Sequence, residues 1–169
     1  MASPFTQAHA TTYRFCGFSS DASANKIRCD RKRVGKLAIL SSFSKLRELN
    51  FTRSGLKALG GMPSIPSLRV LSLNYTPVQS LAGIKANPTI VELDASNTRI
   101  VNLEGLEGLH MLRHVTLWNV SIRDLSPLAS LAKLESLVLG GTKVRDLRPL
   151  GGIKELRLLN LERTDIKSL

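Results

Sequence analysis

Three groups of side chains have the types that carry chemistry. His110 and His114 stand at the i, i+4 spacing at which two imidazoles on a helix share a zinc ion. Cys16 and Cys29 are the only two cysteines, and Gly140-Gly141-Thr142-Lys143 has the ending of a phosphate-cradling loop. None meets the full requirement of its chemistry. No glutamate follows His110 to act as a base, and the cysteines lack the C-x-x-C spacing of a structural metal site. The glycine that should precede Gly140 in a phosphate loop is missing, and no G-x-S-x-G nucleophile elbow occurs. No catalytic residue, metal site or cofactor is expected, and the chain reads as something other than an enzyme.

The elements that must position any functional side chain come from a period. From Leu46 the chain divides into five consecutive 22-residue segments beginning at Leu46, Leu68, Ile90, Leu112 and Leu134, followed by 14 residues from Leu156; residues 24–45 fit the same register. The shared pattern is L-x-x-L-x-L-x-x-T-x-V-x-x-L-x-x-L-x-x-L-x-x. Across the six complete segments its seven apolar slots are filled 41 times out of 42, with Asn87 the exception, so the register has no competitor. This register puts His114 on a strand and His110 in the turn before it, which separates the pair, and it accounts for Thr142 as a repeat position.

The spacing has a direct physical meaning. Apolar residues at the fourth and sixth slots, such as Leu71 and Leu73, predict a short strand with one face inward. Later apolar slots recur every third residue, as in Val144, Leu147, Leu150 and Ile153, which suits a 3₁₀ or short helical return. Each repeat is then one coil, and neighbouring coils pair their strands in parallel at about 4.8 Å. One coil alone cannot offset the entropy of ordering its own backbone, so stability has to come from stacking.

These residues resemble leucine-rich repeats of the short 22-residue type, similar to those of bacterial internalins and of the nuclear regulator of protein phosphatase. Ser54, Thr76, Thr98, Thr142 and Thr164 at the ninth slot, with Asp124-Leu125-Ser126-Pro127-Leu128 and Asp146-Leu147-Arg148-Pro149-Leu150, also resemble repeat proteins of trypanosomatid parasites. The resemblance implies an α/β fold: a right-handed leucine-rich-repeat solenoid with a concave parallel β-sheet and short helical or 3₁₀ convex segments. The ninth slot departs from the family's usual Asn, whose amide bridges successive coils; a threonine hydroxyl offers one donor, and Lys32 and Val120 none of that kind, so a looser turn is expected there. Residues 24–169 form the repeat domain. Residues 1–23 are an N-terminal flank in which 1–11 are expected to be disordered and Tyr13, Arg14 and Phe15 alternate as a capping strand would.

If the fourth and sixth slots point inward, the third, fifth and seventh line the concave face and the eighth lies at its rim. The sole tryptophan, Trp118, falls there in a central repeat, near His114, Thr116 and Tyr75, with Glu92, Asp94 and Asn97 on the neighbouring coil. Aromatics beside polar groups have the composition of a protein-binding hot spot. The alternative is that Trp118 lies over the sheet as a cover. This reading points to a protein-protein interaction scaffold with another protein on the concave face.

The net charge of +11 is uneven: residues 1–67 carry 11 Lys and Arg against 3 Asp and Glu, and residues 68–169 carry 13 against 10. Lys26, Arg28, Arg31, Lys32, Arg33 and Arg53 form a basic patch on the first coils. It offers a second reading, nucleic acid or an anionic surface, against the plainer one of a solvated end coil. No aromatics interleave with these arginines, and no recognised nucleic-acid motif is present. A third reading is the recognition segment of a larger enzyme. Cys16 and Cys29 could in principle pair, but the chain has neither the disulfide-dense caps usual in secreted repeat proteins of this type nor an apolar leader or membrane-length run. A reducing compartment is therefore expected, cytoplasmic or nuclear, with Cys29 a buried thiol in a core slot. N-x-S/T triplets at Asn50, Asn74 and Asn119 would put glycans on the binding face of an exported protein, which argues the same way. The chain stops in mid-repeat at Leu169, leaving the last coil's interior open unless chain or partner covers it.

Overall fold

A computed structural model describes residues 12–166; the expectation of disorder over 1–11 lies outside the described residues. Nine strands are present among the described residues: β1 (Thr12–Phe15), β2 (Phe18–Asp21), β3 (Lys26–Arg28), β4 (Glu48–Asn50), β5 (Val70–Ser72), β6 (Glu92–Asp94), β7 (His114–Thr116), β8 (Ser136–Val138) and β9 (Leu158–Asn160). Strands β3 to β9 form one sheet in sequential order, every neighbouring pair parallel and offset by one repeat, as in Leu49↔Leu71 and Leu93↔Val115. Each strand holds only the third, fourth and fifth slots. The main-chain ladder runs further, however. The sixth-slot N–H of one coil donates to the fifth-slot carbonyl of the next (Leu73 to Asp94, 2.7 Å), and the eighth-slot N–H donates to the next seventh-slot carbonyl (Asn97 to Trp118, 2.8 Å).

The coil returns along its convex side through 3₁₀ turns at Leu37–Ser42, Ala82–Ala86, Ser126–Leu128 and Arg148–Leu150. Pro127 and Pro149 fit the first turn of the last two, where a missing N–H costs nothing. The inward slots of all coils join in one core: Leu71, Leu93 and Leu137 are buried in the same cluster, which is the continuous interior the period predicts. Asn87, the single polar residue in an apolar slot, is buried and hydrogen-bonded at both ends of its amide. Its Oδ1 accepts the Ile65 N–H at 2.8 Å and its Nδ2 donates to the Pro63 carbonyl at 3.0 Å, so it ties its coil to the preceding one.

Three of the four ninth-slot threonines close their own coil. Thr76, Thr98 and Thr164 donate their hydroxyls to the carbonyl three residues earlier (2.6, 2.8 and 2.7 Å), so these hydroxyls do not bridge successive coils. Immediately before them, every eighth slot takes a left-handed backbone: Arg31, Arg53, Tyr75, Asn97, Asn119 and Arg163 have φ of 53–56°, and Gly141 has 70°. Asn and Gly suit that conformation; Arg and Tyr adopt it at a cost that the ladder on either side must offset.

At the N-terminus, instead of a single strand, β1 and β2 form an antiparallel hairpin separate from the main sheet, joined by Cys16-Gly17, both with positive φ as a two-residue primed turn requires. Tyr13 meets Phe43 edge-on at 5.5 Å between ring centroids, and Phe15 meets Phe51 at 6.3 Å, so the hairpin covers the first coils' interior. Cys16 is bonded to Cys29, with Cα atoms 5.3 Å apart. This corrects the expectation of a free thiol at Cys29: the residue is buried in its core slot, but the turn of the hairpin brings the second sulfur to it. Cysteine usage therefore gives no argument for a reducing compartment.

Candidate concave binding face

The face is built on a rigid base, because every backbone group of the central strands is committed to the ladder and the inward side chains are buried. At its centre the outward residues of β5, β6 and β7 surround an open hollow of about 100 Å³ lined by Val70, Ser72, Glu92, Asp94, His114 and Thr116, with the backbone of Leu71 and Leu93 as part of its floor. Glu92 stands opposite His114 and Asp94 opposite Thr116 in the register. Asp94 uses Oδ1 to accept the Ser96 N–H at 3.0 Å, the same turn made by Asn50 with Thr52 and by Asn160 with Glu162, so its position is held by its own loop. Neither Glu92 nor Asp94 has an ion pair among the described residues.

Trp118 is half-buried. Its indole lies across the next coil over Gly140, where an added Cβ would stand 2.1 Å from Cζ3 and 2.3 Å from Cε3. Its backbone N–H reaches the Ser96 hydroxyl at 3.3 Å. The ring thus covers the sheet, with its remaining surface at the edge of the concave face. Tyr75 and Asn97 belong to the rim. Tyr75 is 53% exposed with the Arg53 guanidinium 5.1 Å over its ring, and Asn97 accepts a hydrogen bond from Asn119 Nδ2 at 2.9 Å. The structure therefore brings Glu92, Asp94, His114 and Thr116 around one hollow, and places Trp118, Tyr75 and Asn97 beside it.

The basic patch divides. Lys26 is paired with Glu48, whereas Arg28 and Arg53 line a second hollow of about 220 Å³ together with Asp30, Asn50 and Thr52. Thr52 donates its hydroxyl to Asn74, so that edge of the hollow is fastened to the next coil. Arg31, Lys32 and Arg33 are exposed on the turn leaving β3, beyond the strand face. His110 sits in the turn before β7, with Nδ1 at 3.3 Å from the Ser130 carbonyl, while His114 faces the central hollow. No group of three or more His, Cys, Asp or Glu side chains is arranged to hold a metal ion among the described residues, and no described helix is long and apolar enough to cross a membrane.

Two features of this face escape a slot-by-slot reading. One is the left-handed backbone at the eighth slot, signalled only by Asn97, Asn119 and Gly141 recurring there. The other is Gly140 as the seat of Trp118. The signal for it was a glycine one period after the only tryptophan, in the same outward slot.

A sheet of sequential parallel strands, one per repeat and each offset by a repeat length, decides the fold. The chain is a leucine-rich-repeat solenoid. Solved structures agree. An internalin of Listeria monocytogenes superposes with a TM-score of 0.77 at 18% identity, over 90% of this chain and 53% of that one. Internalin C2 of the same bacterium superposes with a TM-score of 0.64 at 18% identity, over 89% of this chain and 78% of that one. The solenoid thus spans about half the length of the first of these structures. No family model and no curated protein matches the sequence. At this identity the likeness speaks for the coil architecture and not for any partner.

Proposed function

We propose that this solenoid is a protein-interaction scaffold whose partner docks on the concave face, centred on the hollow of Glu92, Asp94, His114 and Thr116. The observation that carries the reading is that these four side chains project together from two adjacent strands, β6 and β7, whose backbone is already satisfied, with Trp118 at the border. Such groups are held in place before binding, which keeps the entropic cost of association low. The alternating in-and-out pattern of a parallel sheet also means that they can be replaced without opening the core.

The test is a triple substitution, Glu92→Gln, Asp94→Asn and Thr116→Ala, compared with the parent chain for capture of partner proteins, with folding checked by circular dichroism. The variant is expected to stay folded and lose its partner. Retention of the partner at full strength by a folded triple variant would dismiss the concave centre.

A further inference from the structure

We infer that the concave face takes an extended segment of a partner protein on which an acidic residue, a basic residue and an apolar residue follow in that order along the array. The inference rests on the scaffold reading above and specifies the partner's chemistry. Along the sheet the outward side chains fall into three zones. Across β3 and β4, Arg28 and Arg53 flank a hollow, with one acid, Asp30, among its lining residues. Over β5 to β7, Glu92 and Asp94 dominate the central hollow and no lysine or arginine lines it. Across β8 and β9, Val138 and Leu158 follow Trp118, and Leu158 is 50% exposed. The zones are thus basic, acidic and apolar from the N-terminal to the C-terminal end.

A polynucleotide laid along this line would carry phosphates over Glu92 and Asp94, where like charges repel, so the surface fits a polypeptide of mixed charge better than a uniform polyanion. Strand spacing gives the partner's spacing. With strands about 4.8 Å apart and an extended chain rising about 3.3 Å per residue, the middle of the basic hollow lies about 12 Å from β6, or about four residues. From β6 to Val138 on β8 is about 10 Å, or about three residues. The segment therefore has an acid, a base about four residues on, and a large apolar residue about three further, with either chain direction satisfying the zones.

The experiment uses the full chain and synthetic peptides in a serine and threonine background, one for each direction, carrying Asp, Lys and Leu at that spacing. Calorimetry registers binding anywhere on the protein, and the fluorescence of Trp118, the only tryptophan, registers binding on this face. One of the ordered peptides is expected to bind and shift the Trp118 emission, and exchanging its Asp and Lys should weaken it about tenfold. The double variant Glu92→Lys with Asp94→Lys, confirmed folded by circular dichroism, should reverse the preference for the central residue. If the ordered and exchanged peptides both shift Trp118 with equal affinity, the charge order is wrong while the concave face stands. If no peptide binds, the segment proposal falls; should the triple variant of the preceding section also retain its protein partner, the scaffold reading falls with it.

Discussion

Substituting Gly140 by alanine tests the geometry of the concave face directly. The glycine does not have a positive φ, so alanine meets no backbone penalty there. The obstacle is the indole of Trp118, whose Cζ3 and Cε3 atoms would lie 2.1 and 2.3 Å from the new methyl group. Carbon atoms in contact sit about 3.5–4.0 Å apart, so the ring has to lift off the strand. A half-buried tryptophan covers roughly 100 Å² of the surface that a fully buried one would, and losing that at about 25 cal/mol per Å² costs about 2.5 kcal/mol. Replacing glycine by alanine returns about 0.5 kcal/mol through the unfolded chain, leaving a net loss of about 2 kcal/mol. In a Trp118→Ala background the same substitution has nothing to displace and becomes neutral or slightly stabilising. Urea denaturation followed by circular dichroism on the four proteins of this cycle should give a coupling of about 2.5 kcal/mol, and the native emission of Trp118 in Gly140→Ala should move to the red. Additive effects within about 0.5 kcal/mol, with unchanged emission, would show that the indole does not rest on Gly140.

Other outcomes follow from the rest of the fold. Reducing the Cys16–Cys29 bond, which closes a loop over a sequence separation of 13, should lower stability by about 3 kcal/mol, read as a drop in denaturation midpoint on adding a reductant to the parent chain but not to a Cys16→Ala, Cys29→Ala double variant. Thr142 is buried with its hydroxyl unpartnered, whereas that of Thr98 is bonded. Thr142→Val should therefore be neutral or mildly stabilising, while Thr98→Val should cost about 1 kcal/mol, both from denaturation midpoints. The Arg148 side chain and N–H hold the Asp146 carboxyl down from 3.8 to about 2. Because the folded value lies below the unfolded one, the interaction supports the fold above pH 4 or so and is lost as pH falls toward 2. NMR titration of the Asp146 carboxyl should give a midpoint near 2 in the parent and a higher one in Arg148→Ala.

The architecture was readable from the one-dimensional pattern because it depends on direction alone. Leucines recurring every 22 positions must face a shared interior, so the residues between them must face out, and the central zone of Glu92, Asp94, His114 and Thr116 follows from counting slots. Asn87 looked like a fault in the period and is instead a buried tie between coils, since an amide in that slot finds both a donor and an acceptor on the preceding coil.

Lateral detail was decided only by the stacked chain. Whether Trp118 stands out or lies down depends on what occupies the same slot one coil later, and Gly140 leaves room for it to lie down. Arg53 over Tyr75 and the Asn119–Asn97 bond likewise exist because stacking places side chains a full repeat apart within reach. The Cys16–Cys29 bond needed the hairpin's turn to fold back onto the first coil. Periodicity states which way a side chain points; what it touches depends on its neighbours' volumes and the path of turns outside the repeat, and these are set by packing.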